Sequence, residues 1–157
     1  MSRIREAIIS DFEAISVLEN KIFTMHYNAR QDMIKPRQAP LDYDYFKKCL
    51  TDENMKIFVF DEDGEILGHC FVRRWEHKNH QMFHDMVILE IDDICVDEKA
   101  QNKGIGRLLF ECVMDYAVEI DAVHLELTVW KFNDKARHFF EHLGMEERIC
   151  RMEMIIE

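Results

Sequence analysis

The chain has 157 residues, 48% of them hydrophobic, and carries a formal net charge of −11. This length suits one domain with a complete core, so we expect a single domain over residues 1–157. The acidic balance argues against nucleic acid as the main partner, because neutralising phosphates requires a basic patch. No apolar run approaches the ~20 residues of a membrane span. The first residues also lack the apolar region of a signal peptide.

The five cysteines are odd in number, lie within apolar patterns and include no C-x-x-C pair. This usage favours reduced core thiols in a cytoplasmic protein and argues against a zinc site. His77, His80 and His84 form a loose group in a polar stretch, which we interpret as a solvated loop rather than a metal site. We therefore expect a cytoplasmic protein without a metal.

The first half of the chain predicts two helices and a hairpin after a short strand. A strand over residues 4–8 is followed by a helix that starts at a capping box, Ser10 to Glu13, and carries an apolar stripe to Phe23. The remaining elements are a loop over residues 24–40 with Pro36 and Pro40, a helix over 42–50, and a hairpin of residues 56–60 and 65–75 around a turn at 61–64.

The second half predicts strands alternating with helices after a charged loop over residues 76–85. These elements are a strand over 86–96, a helix over 106–119, a strand over 123–129, a helix over 133–143 and a last strand over 148–156. There is no repeat and no interdomain linker. By itself this order indicates a mixed α/β domain.

The most specific signal is the glycine-containing turn at residues 101–107, between a predicted strand and a predicted helix. The first amides of a helix lack internal partners, and the helix dipole makes that end positive. Glycines let a phosphate approach the backbone. A dinucleotide fingerprint would need a glycine at Leu109, and a P-loop would need Gly-Lys-Ser/Thr where the chain has Gly106, Arg107 and Leu108. The turn therefore predicts a phosphate-bearing cofactor of another kind.

The remaining pattern, Gln-x-x-Gly-x-Gly at Gln101, Gly104 and Gly106, resembles the acyl-CoA pyrophosphate loop of the GNAT superfamily of N-acetyltransferases. A second motif on the predicted last helix resembles the family's Asn-x-x-Ala-x-x-x-Tyr-x-x-x-Gly-Phe pattern. Three positions match and two depart from it; the matches are Asn133, Ala136 and Gly144, and the departures are Phe140 and Met145.

The resemblance implies the GNAT fold, a mixed and largely antiparallel twisted sheet whose central parallel strands splay apart, flanked by helices. It implies acetyl-CoA as cosubstrate and no metal. The residues expected to hold the cofactor are Ile94, Cys95, Val96, Gln101, Asn102, Lys103, Gly104, Ile105, Gly106, Arg107 and Asn133. Trp130 has two open interpretations, a wall of the pantetheine tunnel or ordinary core packing.

The expected catalytic residues are Glu90 and Asp92. In some family members a glutamate lies eleven residues before the loop glutamine, and that position here is Glu90. Alternation places Glu90 and Asp92 on one strand face and Asp93 on the other, unless a bulge intervenes. Either acid could receive the proton of an ammonium acceptor, although both could also be solvated residues of a strand face.

The family's acid is a tyrosine, which Phe140 replaces, and Tyr116 is a poor substitute because its spacing places it on a core stripe. Acceptor recognition is expected near His26, Tyr27 and Trp75. The leading hypothesis is transfer of an acyl group from CoA to a primary amine, of a small molecule or a peptide, by direct attack in a ternary complex. The alternative is a non-catalytic acyl-CoA-binding module. Assembly as a homodimer stays open.

Overall fold

The computed structural model describes residues 4–37 and 41–156. Its centre is a five-stranded sheet in the order β1-β2-β3-β4-β5, antiparallel except for the parallel pair β4 and β5. The strands are β1 (Ile4–Glu6), β2 (Met55–Glu62), β3 (Glu65–His77), β4 (Met86–Val96) and β5 (Ala122–Leu127). This mixed sheet confirms the predicted fold class.

Helices cover both faces of the sheet, which explains the long apolar runs in its central strands. The helices are α1 (Phe12–Ala29), α2 (Tyr43–Thr51), α3 (Ile105–Glu119) and α4 (Asp134–His142). One core cluster joins α3 and α4 to the sheet, and a second joins α1 and α2 to the opposite face. No helix in the described ranges combines the length and the hydropathy that a membrane crossing requires.

Two features of β4 shape the end of the sheet. Phe71 pairs with Asp93 and Val72 with Ile91, so Asp92 is an extra residue on β4, a β-bulge. Pairing with β5 ends at Ile91, opposite Leu127. The last five residues of β4 therefore have a partner strand on the β3 side only. This is the splay of parallel strands that the family resemblance implied.

Two predictions near the chain ends were wrong. The first helix continues to Ala29, where residues 24–40 were expected to form a loop, because no glycine or proline interrupts it before Pro36. Pro40 lies outside the described residues. The last predicted strand, residues 148–156, has no regular secondary structure. Among residues 4–37 and 41–156 no strand pairs with it, and a β-type sequence forms a strand only where it pairs and packs.

The N-terminal capping prediction also needs correction. A short 3₁₀ turn, Ile9–Asp11, precedes α1, so Ser10 is not the residue that caps the helix. Asp11 instead accepts a hydrogen bond from the Ile8 amide at 2.8 Å. Arg5 binds both carboxylate oxygens of Asp11, at 2.7 and 3.0 Å. The spacing of residues 10–13 indicated that a carboxylate accepts a backbone hydrogen bond at this helix start. It did not show that Asp11, rather than Glu13, is that carboxylate.

Candidate active site

The loop between β4 and α3 presents unpaired backbone amides. The first backbone hydrogen bond of α3 runs from the Leu108 amide to the Gly104 carbonyl at 3.0 Å. The amides of Ile105, Gly106 and Arg107 therefore lack intrahelical partners. Gly104 has φ of 80°, in the left-handed region that glycine adopts without strain. Asn102 and Lys103 lie exposed in the turn before it. This geometry fits an anion at the positive end of the helix.

The two sequence motifs meet at this loop. The Gln101 side-chain amide donates to the Val96 carbonyl at 3.3 Å, and Lys135 of α4 donates to the Gln101 side-chain oxygen at 2.6 Å. Asn133 caps α4, because its Oδ1 accepts from the Ala136 amide at 3.1 Å. Its Nδ2 has no acceptor among the residues that the structure describes. Asn133 is thus available both as a cap and as a donor.

Packing around the loop gives Gly106 a second reason to be glycine. A Cβ on Gly106 would lie 3.1 Å from Cζ of Phe139 on α4. The neighbouring Phe140 is buried and packs near Phe110 with ring centroids 6.3 Å apart. Tyr116 is also buried, edge-on to Phe58, which confirms its predicted place in the core. Phe140 and Tyr116 are therefore packing residues, and neither offers a proton at the loop.

The end of β4 that does not pair with β5 carries Ile94, Cys95 and Val96. β3 covers one edge of this stretch, and pairing with β5 has already ended, so its other edge is open. An open strand edge offers backbone donors and acceptors to an extended ligand. Burial raises the pKa of the Cys95 thiol to about 12, which keeps the thiol protonated. Cys95 therefore contributes its backbone rather than a nucleophile.

A buried histidine joins two carboxylates beside this open end. His69 Nε2 lies 2.8 Å from Glu19 of α1 and 2.9 Å from Asp93 of β4. His69 is fully buried, whereas the side chains of Glu19 and Asp93 keep 18% and 22% of their surface exposed. Asp93 follows the bulge, two residues beyond the last residue that pairs with β5. The cluster therefore lies at the place where the strands separate.

The pKa values of this cluster are strongly shifted. Burial raises the pKa of Glu19 to about 7, and the nearby Asp93 charge adds to the rise. Burial lowers the pKa of His69, but its bonds to Asp93 and Glu19 outweigh that effect and raise it to about 9. Burial opposes ionisation of Asp93 as well, yet bonds from His69 and Glu19 lower its pKa overall. At neutral pH Asp93 is ionised and Glu19 is poised to take or release a proton.

Glu19, His69 and Asp93 are also the one group of side chains in residues 4–37 and 41–156 with the spacing of metal ligands. Their ligand atoms lie within 4.8 Å of one another. Both carboxylates, however, are already within hydrogen-bond distance of the same nitrogen, His69 Nε2. His69 Nδ1 is buried without a partner. A proton shared among the three groups explains the short contacts, since an imidazole nitrogen carries a single proton.

Glu90 and Asp92 lie on β4 before the open end. Glu90 still pairs with Arg73 of β3 and with Glu126 of β5. Asp92 accepts two bonds from the Arg73 guanidinium, at 2.6 and 3.1 Å. The bulge interrupts the alternation assumed from the sequence, so the expected separation of Asp92 from Asp93 by strand face does not apply. The catalytic role of Glu90 and Asp92 stays a prediction.

The three residues expected to bind the acceptor are not brought together. His26, near the end of α1, packs against Trp130 and Phe132, with ring centroids 6.5 and 5.8 Å apart. Burial lowers the pKa of His26, although the nearby Asp93 opposes this. Tyr27 stacks on Phe23 one turn earlier on α1.

Trp75 lies elsewhere. It pairs with Ile88, whereas His69 pairs with Cys95 near the open end. Trp75 is six positions along β3 from His69, roughly 20 Å of strand. His26, by contrast, is close enough to the Glu19–His69–Asp93 cluster, called the acid cluster below, to interact with the charge of Asp93. The His26–Trp130–Phe132 group forms an aromatic wall between α1 and the loop after β5.

Sequence reasoning missed Glu19 and His69 and placed Asp93 on the opposite strand face. One signal was available, because Glu19 occupies the inward stripe of α1, four residues after Ile15 and one after Leu18, both of which are buried. A carboxylate on a buried stripe needs a partner. His69 inside an apolar strand is the matching signal. Their contact joins residues 50 positions apart, which local periodicity does not reveal.

The model of the acetyltransferase (GNAT) family matches residues 20–145. The chain belongs to the GNAT acetyltransferase family. The matched range includes the loop, the open end of β4 and α4, as the two motifs predicted. This family match implies acetyl-CoA-dependent N-acetyltransfer.

Individual relatives of this GNAT domain agree in fold and length. An uncharacterized N-acetyltransferase, YhfO of Bacillus subtilis, is 30% identical over 144 residues, 92% of this chain and 89% of YhfO. A mutant of the BH1408 protein from Bacillus halodurans superposes with a TM-score of 0.95 at 29% identity, over 98% of this chain and 99% of that one. The aminoglycoside N-acetyltransferase AAC(6′)-Iy in complex with CoA shares the fold, with a TM-score of 0.71 at 14% identity over 98% and 99% of the chains.

Proposed function

We propose that this protein transfers an acetyl group from acetyl-CoA to a primary amine, by direct attack in a ternary complex. One observation carries the proposal: the segment of β4 that has separated from β5 after Ile91 bears Asp93 of the Glu19–His69–Asp93 cluster and leads along the chain to the free amides at the start of α3. We infer that this segment brings a bound anion and side chains that exchange a proton to one opening. Transfer of an acyl group from CoA to an amine needs a site that positions the cofactor and a group that accepts the amine's proton.

The residues present fit acetyl-CoA. The pyrophosphate would be held by the amides of residues 104–107, and the extended arm by the open edge of β4 at residues 94–96 and by Asn133 Nδ2. When bound, acetyl-CoA supplies the activated acetyl group. The protein holds no side-chain nucleophile at this edge, because Cys95 stays protonated. Direct attack by the amine is therefore the simplest chemistry for these residues.

The acid cluster has the properties of a proton acceptor for that amine. A free alkylammonium has a pKa of about 10.4, so at neutral pH it must lose a proton before it can attack. The ionised Asp93 attracts the ammonium group, and Glu19, with a pKa of about 7, accepts the proton. His69 Nε2, 2.8 Å from Glu19, links the two carboxylates. A base that titrates near the working pH is the most effective choice.

Surroundings of the cluster favour a cationic acceptor. The net charge of −11 attracts cations by long-range steering. The aromatic wall of His26, Trp130 and Phe132 contacts the end of α1 beside the cluster. Aromatic faces bind the apolar body of an amine and tolerate its positive charge. We propose a small molecule or peptide with a primary amine as the acceptor.

The buried Phe140 supports a second candidate, a non-catalytic acyl-CoA-binding module, because a hydroxyl is missing where the family carries tyrosine. A steady-state assay separates the two. We expect acetyl-CoA to release CoA thiol only when an amine is added, with mass spectrometry finding one acetyl group on the amine. If calorimetry detects acetyl-CoA binding but no amine in a broad panel accelerates thiol release, the binding module is the better description.

A further inference from the structure

Two arginines of this chain, Arg5 and Arg30, each hold two carboxylates, one on each edge of the guanidinium. Arg5 binds Asp61 through Nε and Nη2, at 2.9 and 2.8 Å, and binds Asp11 through Nη1 and Nη2, at 2.7 and 3.0 Å. Arg30 binds one carboxylate by its Nε edge and a second by its Nη1 edge in the same way. The planar fork of an arginine can therefore serve two carboxylates at once.

Arg73 on β3 has a carboxylate on one edge only. Its Nε and Nη2 donate to Asp92 at 3.1 and 2.6 Å. Its second edge, formed by Nη1 and Nη2, has no carboxylate within the described part of the chain. The Asp92 side chain is 18% exposed, whereas that of Arg73 is 49% exposed. Asp92 thus fixes the guanidinium by its inner edge and leaves the other edge free for a second carboxylate.

Arg73 lies on the sheet face that carries the acid cluster. Phe71, two residues earlier, packs in the core that joins α1 and α2 to the sheet, and alternate residues of a strand share a face. The charge of Arg73 also reaches Tyr45 of α2. Arg73 pairs with Glu90, three residues before Asp93 along β4. The free edge of Arg73 is therefore roughly 10 Å of strand from the acid cluster.

Glu90 places a negative charge beside this free edge. The bond to Asp92 raises the pKa of Arg73, burial opposes the rise, and the charge of Glu90 adds to it. Glu90 forms no ion pair with any residue for which the structure gives a position. Its neighbour on β5, Glu126, is bound by Arg148. A free carboxylate next to a half-free guanidinium matches the two opposite charges of an α-amino acid.

We propose that this pair binds the α-carboxylate and the α-ammonium of an amino acid whose side chain ends in the primary amine to be acetylated. Arg73 holds the carboxylate on its free edge, and Glu90 holds the α-ammonium. The side-chain amine then reaches the acid cluster. This site rests on the proposed acetyl transfer, for which it selects the acceptor.

The length of such an acceptor fits the site. An α-amine is two bonds from its carboxylate carbon, a reach of roughly 3 Å. The side-chain amine of lysine or ornithine is six or five bonds away, roughly 6–8 Å when the chain is extended. With hydrogen bonds of about 3 Å at its ends, the longer chain spans the distance from Arg73 to Asp93, and an α-amine does not. Such an acceptor also keeps one net positive charge, which the acidic protein attracts.

Four acceptors that differ by one group test the site in the thiol-release assay. They are lysine, lysine methyl ester, cadaverine and ε-aminocaproate, and the corresponding ornithine set covers the shorter chain. The ester and cadaverine lack the carboxylate charge, whereas aminocaproate lacks the α-ammonium. We expect the complete amino acid to exceed each of the others about 10–100-fold in kcat/KM, the effect of one lost charged hydrogen bond. Equal values with and without the carboxylate overturn the site but leave the acetyl transfer standing.

Substitution of Arg73 assigns the preference to its guanidinium. Arg73→Gln should bring the lysine-to-cadaverine ratio of kcat/KM close to unity. Arg73→Lys keeps a positive charge for Asp92 but has no second edge, so it should lower the ratio nearly as far. Arg74→Gln is the matched control, because Arg74 binds Glu76 and its charge reaches the α3 side of the sheet, so the ratio should stay as in the wild type. An unchanged ratio in both Arg73 variants overturns the site.

Calorimetry on the protein saturated with CoA makes the same comparison without turnover. Lysine or ornithine should bind about 10–100-fold more tightly than the diamine of the same length, and Arg73→Lys should remove the difference. If that preference is found but no amine is acetylated, the recognition site stands and the proposed transfer fails. Equal binding of amino acid and diamine, or no binding of either amino acid, overturns the site.

Discussion

Replacing Glu19 with glutamine separates a proton acceptor from a structural acid. Glutamine keeps the size of the side chain and one acceptor oxygen but cannot accept the amine's proton. General-base catalysis typically contributes about 10²–10⁴-fold, so we expect kcat/KM at neutral pH to fall by that order. The wild-type kcat/KM should rise with pH through about 7, the pKa of Glu19. The deficit of Glu19→Gln should shrink as the pH approaches the amine's own pKa, about 10.4.

The same substitution has a thermodynamic signature that does not depend on activity. The pKa of Glu19 is raised from 4.5 to about 7 on folding. Between those values the unfolded chain has already released a proton that the folded protein retains, so the free energy of unfolding falls as pH rises. At 1.36 kcal/mol per pH unit, this interval amounts to about 3 kcal/mol. The glutamine side chain does not ionise, so the free energy of unfolding of Glu19→Gln should not show this decrease with pH.

Urea unfolding of both proteins, followed by circular dichroism, measures the difference. From about pH 5 to about pH 7.5, the free energy of unfolding of Glu19→Gln should gain about 2–3 kcal/mol relative to the wild type. His69 acts in the same direction at higher pH, because its stabilising charge is lost as pH rises through its folded pKa of about 9. Because Glu19 helps to raise the pKa of His69, Glu19→Gln should weaken this second loss of stability too, which adds to the variant's gain relative to the wild type. Parallel pH dependences of unfolding would refute the shifted pKa, whatever the kinetics show.

Three further predictions concern the other site residues. Glu90→Gln and Asp92→Asn should each lower kcat less than Glu19→Gln does; a larger loss in Glu90→Gln, measured in the same assay, would make Glu90 the base. Asn133→Asp keeps the Oδ1 cap of α4, so the free energy of unfolding should hold while the KM for acetyl-CoA rises about fivefold from one lost hydrogen bond; lower stability with an unchanged KM would reduce Asn133 to a cap. Gly106→Ala should lose about 1–3 kcal/mol of stability through overpacking against Phe139 and weaken CoA binding. Adding Phe139→Leu should restore the stability but not the CoA affinity measured by calorimetry.

The elements of the fold were predictable where the pattern was local. The run at β4 and the stripe of α3 both appear in the sequence, and the structure places them at Met86–Val96 and Ile105–Glu119. The glycines between them marked the loop, because a left-handed residue at Gly104 is a local requirement. The prediction of a C-terminal strand was wrong because strand formation depends on contacts that are not local. A strand forms only where another strand pairs with it, and the sequence of residues 148–156 alone cannot show whether such a strand is adjacent.

The candidate site was predictable only in part, for a related reason. The cofactor loop is continuous in sequence, whereas the acid cluster is assembled from α1, β3 and β4. A single inserted residue, Asp92, also decides which side chains face α1. Bulges change the direction of every side chain that follows them, and the sequence shows only that three acids, Glu90, Asp92 and Asp93, lie within four residues. Periodicity alone could not tell which acid enters the core.

Burial of this cluster is the strongest physical sign that it serves a function. An isolated buried charge is expensive, and a hydrophobic replacement of similar size is often as stable or more so. A chain selected for stability alone would fill the space between α1 and the sheet with aliphatic side chains, as it does around Ile15 and Leu18. His69 instead leaves Nδ1 without a partner while its Nε2 contacts two carboxylates. Such an arrangement persists where the shifted pKa values are themselves useful, and it lies beside the open edge of β4, where an amine must lose a proton before it can be acetylated.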